Sequence, residues 1–443
     1  MALWFDSALL EDGWHDRVRV TLDGARIATV EHDVDPAPGD SRHGAVTPGL
    51  SNVHSHAFQR GMAGLTETRG PASDNFWTWR EQMYRFLERL DPEGMRTIAA
   101  LAYVEMLETG FTRVGEFHYV HNQPDGSPYA EPAILAAAIG EAAGETGIGL
   151  TLLPVFYAHS DFGGAPPNSG QRRFITTTGQ FARLFEACRS ITDTGVAPHS
   201  LRAVTPEELR QIVALAPDGP IHIHAAEQTG EVEACLRWSG ARPVEWLLDN
   251  AGVDGRWCLI HATHLTATET ARLAASGAVA GLCPITEANL GDGVFPAEAY
   301  RAAGGAFGIG TDSNVAIDAA QELRTLEYAQ RLFTRSRNVL AAGEGRSTGA
   351  TLYRNALAGG AKALGRGTPC IAVGAPADIV SFARDFPVLA SGDALLDSWI
   401  FAGRNDHIDC VWRAGRQVVT AGRHIHREMV VARYAALMRG LLQ

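Results

Sequence analysis

Residues 47–59 read TPGLSNVHSHAFQ and combine a short apolar run with two histidines, His54 and His56. The run is typical of a buried β-strand, in which alternate side chains point to the same side, so the two imidazoles can converge on one point. Imidazole is a common ligand of zinc, and a catalytic zinc usually has three protein ligands and an open position. The pair therefore predicts part of a metal site, with two half-buried strand-end histidines as the alternative.

Seven more strand-like runs follow, separated by segments with apolar residues at helical spacing, such as TPEELRQIVALAP. The eight runs are VTPGLSNVHSH, RVGEFHYV, IGLTLLPVFY, GVAPHSL, PIHIHAAE, CLIHATH, AVAGLCPIT and AFGIGTDS. Parallel strands that are buried on both faces have this nearly continuous apolar character. The pattern predicts an α/β fold with a (β/α)8 TIM-like barrel, and a doubly wound open sheet is the alternative.

Short strand-like segments occur at both ends of the chain. RVRVTLDG and RIATVEHD near the start, and PADIVSFA and IDCVWRAGRQVVTAGRHI near the end, alternate apolar and polar residues. We expect them to form one small antiparallel sheet, in a β-sandwich domain built from residues 1–47 and 368–426. The barrel then occupies residues 48–367, and residues 427–443 form a C-terminal helix.

The composition excludes several classes of partner. The chain of 443 residues has a net charge of −12, which argues against binding to nucleic acid or to an anionic membrane. No apolar run reaches the length of about 20 residues that spans a bilayer, and the N-terminus lacks the features of a signal peptide. The six cysteines are scattered, without a CxxC pair. We expect a soluble cytoplasmic protein whose partners are small molecules or copies of itself.

Polar residues collect at the ends of the eight predicted strands, where the chemistry of a barrel is located. A single zinc ion could take His54, His56 and His224 as nitrogen ligands and Asp312 as an oxygen ligand. The alternative for His224 is a core histidine, and for Asp312 it is a helix N-cap. Iron or manganese could occupy the same ligands.

A hydrolytic reaction at such a site also needs a proton carrier. Glu227, three residues after His224, is the candidate for that role, and an exposed charge at the start of a helix is the alternative. His261 could orient water or substrate, or could be a packed strand histidine. His222 and His264 are predicted to be structural.

Other residues are candidates for substrate recognition. Arg202, in PHSLRAV, could hold a carboxylate, with His199 and Tyr119 as nearby donors, and a solvated arginine is the alternative. The loop over residues 66–86, TETRGPASDNFWTWREQMYRF, could cover the pocket. Arg80 in this loop could reach an anion in its own or a neighbouring subunit.

Four segments, PGLSNVHSHAFQRGMAG, HIHAAEQTGEVE, LIHATHL and GIGTDSN, jointly resemble the amidohydrolase superfamily over nearly the whole chain. Binuclear members bridge two metals with a carboxylated lysine or a glutamate on strand four. Lys362 is the only lysine in this chain and lies far from that strand. The resemblance therefore implies one zinc per subunit and the deaminase-like branch, in which a glutamate in an HxxE pattern carries protons, as His224 and Glu227 would.

More narrowly, HSHAFQRGMAG, FWTWREQMYRF, EFHYVHN and PHSLRAV resemble the formimidoylglutamate deiminase family. This resemblance implies hydrolytic deamination of the dicarboxylate N-formimidoyl-L-glutamate to N-formyl-L-glutamate and ammonia, a step of histidine degradation. It also implies a homodimer. The substrate pocket would consist of Gln59, Arg80, Tyr119, His199 and Arg202.

In the expected mechanism, Asp312 and His261 orient and deprotonate the attacking water, which attacks the formimidoyl carbon, and Glu227 protonates the imine and then the departing nitrogen. Which of Asp312 and His261 takes the first proton stays open. The enzyme alternatives are a deaminase of guanine-like or adenosine-like rings, a chlorotriazine hydrolase and an imidazolonepropionase. A catalytically silent scaffold is the alternative outside enzymes, although such proteins tend to lose metal ligands and none is missing here.

Overall fold

The alternation of strand-like and helical segments is present in the computed structural model, which describes residues 1–69, 76–384, 391–403 and 407–441. The strands, in chain order, are β1 (Ala2–Leu10), β2 (Gly13–Asp23), β3 (Arg26–Glu31), β4 (Ser41–Pro48), β5 (Leu50–Ser55), β6 (Phe111–His118), β7 (Gly149–Phe156), β8 (Asp193–Thr194), β9 (Ala197–Pro198), β10 (Ile221–Ala225), β11 (Trp257–His261), β12 (Val279–Leu282), β13 (Ala306–Ile309), β14 (Ile379–Phe382), β15 (Ile408–Arg413), β16 (Arg416–Thr420) and β17 (Arg423–His424).

The helices are α1 (Phe76–Leu87), α2 (Pro92–Glu108), α3 (Ile134–Thr146), α4 (Thr178–Arg189), α5 (Pro206–Val213), α6 (Thr229–Ser239), α7 (Pro243–Asn250), α8 (Ala267–Ser276), α9 (Pro284–Leu290), α10 (Ala297–Ala302), α11 (Ala319–Thr334), α12 (Thr348–Ala363), α13 (Asp393–Phe401) and α14 (Arg427–Leu441). Short 3-10 helices cover Ala57–Met62 and Ser169–Gln171. None of these helices is long and apolar enough to cross a membrane.

The eight predicted runs form a closed parallel barrel. Its strands follow the order β10-β11-β12-β13-β5-β6-β7-β8, and β9 continues the fourth run beside β7. Parallel bridges from Val196 to Ile221 and from Ser200 to His224 join this fourth run to β10 and close the circle. Every residue of β5, β6, β7, β10, β11 and β12 is buried, as expected for strands covered on both faces. The prediction of a TIM-like barrel is confirmed.

Threonine residues fix where several barrel helices begin. Thr177, Thr205 and Thr266 precede α4, α5 and α8, and the hydroxyl of each accepts a hydrogen bond from the backbone N–H three residues later. The glutamine or glutamate at that third position bonds back to the backbone of the threonine. These capping boxes satisfy N–H groups that a helix start leaves without partners, which fixes the residue at which each helix begins.

The two chain ends meet in one eight-stranded sheet, with the order β17-β16-β15-β14-β4-β1-β2-β3. The sheet is mixed, because β1 pairs with β4 in parallel, so the prediction of an antiparallel sheet was wrong for that pair. Alternation of apolar residues reveals strands but not the direction of pairing. The ring centroids of Phe5 on β1 and Trp412 on β15 are 6.1 Å apart although two strands lie between β1 and β15.

Strands in a sheet are about 4.8 Å apart, so a flat sheet would separate β1 and β15 by about 14 Å. The sheet must therefore curl, and the side chains of its two halves enclose a core of their own, which includes Val18, Val46 and Ile379. This agrees with the predicted extra domain built from both chain ends. The exact domain boundaries stay predictions.

The small domain leads directly into the barrel strand β5, which carries His54. Only Gly49 separates β4 from β5, and a Cβ atom at this position would overlap the side chain of Thr112. Beside β5 in the barrel, α12 packs so closely on β13 that a Cβ atom at Gly359 would overlap the backbone of Phe307. These close contacts fix the start of β5 against Thr112 and β13 against α12. The carboxyl ends of both strands carry the candidate site.

Candidate active site

Four buried side chains converge at the carboxyl ends of β5, β10 and β13. One ligand atom from each of His54, His56, His224 and Asp312 lies within 4.8 Å of the others. His54 Nε2 is 3.1 Å from His224 Nε2, and Asp312 Oδ1 is 3.4 Å from His54 Nε2 and 3.2 Å from His56 Nε2. Ligands placed about 2.0–2.1 Å from a tetrahedral zinc are about 3.3 Å apart. The four atoms are therefore spaced as ligands of one metal ion.

The outer nitrogen atoms of two rings also fit a metal site. Nδ1 of His56 lies 2.9 Å from the carbonyl oxygen of Phe117, and Nδ1 of His224 lies 3.0 Å from that of His199. A carbonyl oxygen only accepts, so these Nδ1 atoms carry the protons and the Nε2 atoms present lone pairs to the centre. Lone pairs on neighbouring nitrogen and carboxylate atoms repel one another, and a cation between them removes the repulsion. Metal-binding histidines have this arrangement.

Strands β5 and β13 are joined at the level of these side chains. The carbonyl oxygen of His54 accepts hydrogen bonds from the backbone N–H groups of Thr311 and Asp312, and the N–H of His56 donates to the carbonyl of Asp312. Asn314 donates to Ser55 Oγ and accepts from Thr311 Oγ1 at 2.6 Å. These buried hydrogen bonds fix the relative position of the first and last strands.

A second group of polar side chains surrounds His261. Its Nε2 is 3.7 Å from Asp312 Oδ2 and 4.0 Å from Glu227 Oε1, whereas its Nδ1 is 3.2 Å from Glu287 Oε1. Glu287 Oε1 also accepts the backbone N–H of Cys283 at 2.9 Å. The imidazole is therefore held from behind by Glu287 and faces two carboxylates with its other nitrogen.

Burial and charge shift the pKa values of these groups in opposite directions. Burial lowers the pKa of His54 to about 3, so this ring is neutral and able to bind a cation. Burial alone would lower the pKa of His261, but Glu227, Glu287 and Asp312 together raise it to about 10. Burial also raises the pKa of Glu227. Burial opposes the charge of Asp312 as well, yet the neighbouring imidazoles of His54 and His56 hold its pKa well below the usual range.

The backbone is strained where these side chains leave their strands. Positive φ angles occur at Ala226 (53°), His261 (66°), Ala262 (47°), Asp312 (44°) and Asn314 (53°). Residues other than glycine seldom adopt this left-handed conformation, and it costs free energy of order 1–3 kcal/mol per residue. Its concentration at the ends of β10, β11 and β13 indicates that the fold positions these residues against their local preference.

A pocket opens above the four converging side chains. All of the predicted catalytic and substrate-binding residues line it, namely Glu227, His261, Asp312, Gln59, Arg80, Tyr119, His199 and Arg202. Gln59 donates to Tyr119 Oη at 2.7 Å, and the ring of Tyr157 packs 4.5 Å from that of His199. The buried Arg202 and the partly buried Arg80 favour an anionic ligand in this pocket.

The predicted covering loop is helical where the structure describes it. Residues 70–75 lie outside the described residues, and Phe76–Leu87 form α1. The prediction of a loop around Arg80 was therefore wrong, because Trp79, Arg80, Met83 and Tyr84 follow the helical spacing of four. All four of these side chains line the pocket. The helix, rather than a loop, forms one wall of the pocket.

Comparison with known proteins agrees with this geometry. Residues 45–418 match the family described as "Amidohydrolase family". The chain belongs to the amidohydrolase family. Residues 2–44 of this amidohydrolase match "Formimidoylglutamate deiminase HutF, N-terminal domain". The chain is also 49% identical to a formimidoylglutamate deiminase of Pseudomonas aeruginosa over 451 aligned residues, which cover 100% of this chain and 99% of the relative.

Solved structures of amidohydrolases have the same fold. An amidohydrolase from Brucella melitensis is 53% identical and superimposes with a TM-score of 0.97, over 100% of both chains. An adenosine deaminase from Xanthomonas campestris with bound zinc is 23% identical and has a TM-score of 0.81, over 100% of this chain and 98% of the other. At that level of identity the second likeness concerns the fold alone.

Several residues that support the site of this amidohydrolase were given no role from the sequence. Glu287 holds His261, Asn314 joins β5 to the end of β13, and Glu116 accepts the backbone N–H of Ala57 at 2.6 Å beneath the histidine pair. Burial raises the pKa of Glu116 to about 7. Glu116 and Glu287 stand at the ends of predicted strands, which is the signal that could have identified them.

The two histidines predicted to be structural lie outside the walls of the pocket. His222 Nε2 is 2.7 Å from the carbonyl oxygen of Ala363, and burial lowers the pKa of His222 to about 4. His264 lies beside Gly293 at the edge of the barrel. Neither ring is part of the four-residue cluster.

Proposed function

We propose that the protein hydrolyses N-formimidoyl-L-glutamate to N-formyl-L-glutamate and ammonia, a step of histidine degradation. The observation that carries the proposal is a single pocket in which Arg80 and Arg202 lie beside a metal-ligand cluster and the pair Glu227 and His261. The 49% identity to a formimidoylglutamate deiminase over the full chain supports the same substrate.

We propose one zinc ion per subunit, held by His54, His56, His224 and Asp312, with iron or manganese as alternatives. The chemistry of this donor set supports the proposal, since three neutral imidazoles and one carboxylate suit zinc. When bound, such a cation lowers the pKa of water and so supplies hydroxide near neutral pH.

The residues around the cluster handle the protons. Asp312 directs Oδ1 to the histidines and Oδ2 to His261 Nε2, so it can take a proton from the attacking water while the protonated imidazole of His261 orients the carboxylate and the water. Glu227 lies 4.0 Å from the same imidazole nitrogen. It would give one proton to the imino nitrogen as the water oxygen bonds to the carbon, then take the remaining proton of that oxygen and give it to the same nitrogen. The C–N bond then breaks and the nitrogen leaves as ammonia, so that one water molecule replaces the imino group by oxygen. Glu287 keeps the imidazole directed toward the pocket.

Arg80 and Arg202, which line the pocket, would hold the carboxylates of the substrate. Arginine binds carboxylates with two parallel hydrogen bonds, and it keeps its charge when buried. Gln59, Tyr119 and His199 would contribute further contacts. A purine or triazine ring would gain little from the two arginines that line the pocket, which is why we favour a dicarboxylate over the ring substrates of other deaminases.

We further propose that the protein is a cytoplasmic homodimer. All six cysteines are unpaired, which fits a reducing compartment. The resemblance to the formimidoylglutamate deiminases supports the dimer, and light scattering on the purified protein would measure its mass. A mass of 47.5 kDa in solution would correspond to a monomer and contradict the proposal.

An ammonia-release assay tests the proposed reaction. Purified protein loaded with zinc is incubated with N-formimidoyl-L-glutamate, with imidazolonepropionate or with a purine nucleoside. We expect ammonia and N-formyl-L-glutamate from the first compound alone. Ring opening of imidazolonepropionate without ammonia, or deamination of the nucleoside with no reaction of the formimidoyl compound, would assign the alternative activities instead.

A further inference from the structure

The hydroxyl of Tyr84 is buried in the wall of the pocket without a hydrogen-bond partner among the residues that the structure describes. Tyr84 lies on α1 and is 8% exposed. A buried phenol that makes no hydrogen bond is unusual, because losing its contact with water costs free energy that nothing offsets. A ligand in the pocket can supply the missing partner.

The ring of Tyr84 is fixed in place by its neighbours. A Cβ atom at Gly170 would overlap the ring, so the glycine provides the cleft that receives it. The ring of Phe174 lies 6.0 Å away, and the guanidinium carbon of Arg80 lies 5.7 Å from the centre of the tyrosine ring. The position of the hydroxyl is therefore set by packing before any ligand binds.

The charges around Tyr84 indicate which part of a ligand it would meet. Burial, more than any neighbouring charge, raises the pKa of Tyr84, so the phenol keeps its proton and can donate it. Among the charged groups near it, Arg80 and Arg202 lower its pKa and Glu81 raises it. The guanidinium group of Arg80 lies over the ring, so Tyr84 stands beside a cationic group of the pocket.

We propose that Tyr84 is a substrate-binding residue whose hydroxyl donates a hydrogen bond to a carboxylate of the substrate, beside Arg80 and Arg202. The inference deepens the proposed function and rests on it, since it assumes a dicarboxylate ligand. The donor fits a carboxylate better than an amidine, because an amidine carries N–H groups of its own and needs acceptors. A hydrogen bond to a charged acceptor is among the stronger ones in a protein.

The variant Tyr84→Phe removes the hydroxyl and keeps the ring in the cleft at Gly170. Because the carboxylate is bound equally in the ground state and the transition state, we expect KM to rise about 10- to 100-fold with kcat almost unchanged. The melting temperature and the zinc content should equal those of the wild-type protein. A KM that stays within about twofold of wild type would overturn the proposal. Tyr328→Phe is the matched control, since it removes the hydroxyl of a tyrosine on α11 that is 40% exposed.

Truncated substrates separate a contact with a carboxylate from a general effect on the pocket. N-formimidoyl-4-aminobutyrate lacks the α-carboxylate, and N-formimidoyl-L-2-aminobutyrate lacks the side-chain carboxylate. The loss caused by Tyr84→Phe should disappear on the one analogue that lacks the contacted group. An equal loss on all three compounds would mean that the hydroxyl acts on the shape of the pocket, and the proposal would be wrong.

A binding measurement distinguishes failure of this inference from failure of the proposed function. Calorimetric titration with glutarate, a dicarboxylate that is not turned over, compares wild-type protein with Tyr84→Phe. Weaker binding by the variant supports a carboxylate donor even if the wild-type protein releases no ammonia from N-formimidoyl-L-glutamate. Equal affinity of the two proteins for glutarate overturns the role of Tyr84, whatever the assay of ammonia shows.

Discussion

Asp312 contacts two groups of residues through its two carboxylate oxygens. Oδ1 lies with the histidines, and Oδ2 lies 3.7 Å from His261 Nε2. The backbone of Asp312 is in the left-handed region, with φ of 44°. This conformation is costly for aspartate, and it holds the carboxylate between the two groups. Through this geometry Asp312 contacts both the proposed cation site and the imidazole of His261.

Replacement of Glu227 by glutamine should abolish turnover and leave metal binding intact. The amide cannot donate a proton as an acid does, so we expect kcat to fall about 10²- to 10⁴-fold. Glu227 is not one of the four clustered ligands, so the zinc content of the variant should equal that of the wild type. Elemental analysis and the ammonia assay measure the two quantities. Glu233→Gln, an exposed position on α6, is the control, and a Glu227→Gln variant as active as this control would refute the role.

Glu287 should contribute to kcat through the orientation of His261. Alanine at this position leaves His261 Nδ1 and the backbone N–H of Cys283 without their acceptor, so we expect kcat to fall roughly 10- to 100-fold. Glutamine retains an acceptor oxygen and should restore part of the activity. Because Glu287 does not line the pocket, KM should change little. Steady-state kinetics of both variants test this, and an Ala variant with the kcat of wild type would contradict it.

The sequence predicted the converging residues better than their supports. His54, His56, His224 and Asp312 could be identified because strand ends of a barrel meet at one edge, so position along the chain was sufficient. The roles of Glu287 and Tyr84 depend on distances between side chains of different elements, such as 3.2 Å from Glu287 to His261. Spacing along the chain carries no such information.

At the level of elements, glycine marks where a helix and a strand touch. A Cβ atom at Gly359 of α12 would overlap the carbonyl of Phe307, which belongs to β13. Gly144 of α3 has no atom within 4 Å of the same added group. Both are glycines of helices, so the same substitution at the two positions separates packing from helix propensity.

Gly359→Ala should destabilise the protein by about 1–3 kcal/mol. The added methyl group would overlap the backbone of β13, and this strand cannot move without displacing Asp312, which follows it. Gly144→Ala should instead stabilise α3 by about 0.5–1 kcal/mol, because alanine is the better helix former. Urea denaturation followed by circular dichroism measures both. Equal shifts for the two variants would show that α12 does not approach β13 as closely as described.

The elements themselves were largely predictable from the chain. All eight apolar runs are barrel strands, and their burial explains why the apolar residues are nearly continuous. The segment around Arg80 was predicted as a loop because it is rich in aromatic residues and follows the first barrel strand. Its side chains also have a helical spacing of four, which is the pattern that the structure follows. The closure of the barrel between β9 and β10 rests on two isolated bridges, which no local pattern reveals.

For the molecule as a whole, the sequence indicated which segments belong together but not how they are paired. Both chain ends were assigned to one domain, and they share one sheet. The parallel pairing of β1 with β4 was missed, since it depends on the path of the chain between them. From β4 the chain passes through Gly49 into β5, so the small domain and the proposed metal site are linked through one continuous segment.

Removal of the cation should therefore weaken the whole protein as well as its activity. The proposed ligands come from β5, β10 and the segment after β13, so a bound cation joins strands that are distant in the sequence. A ligand present at 100 times its Kd stabilises the folded state by about 2.7 kcal/mol. We expect protein dialysed against a chelator to lose ammonia release and to melt about 3 °C lower, with both restored by one equivalent of zinc.

Two histidine variants make this test specific. His224→Ala removes one proposed ligand, so its melting temperature should match that of the chelated wild type and should not respond to zinc. His264→Ala removes an imidazole outside the cluster and should respond to zinc as the wild type does. Differential scanning calorimetry with parallel elemental analysis measures both. If His224→Ala retained one zinc per chain and the zinc-dependent rise in melting temperature, the cation would have to bind at other residues, and the assignment of the four ligands would be wrong.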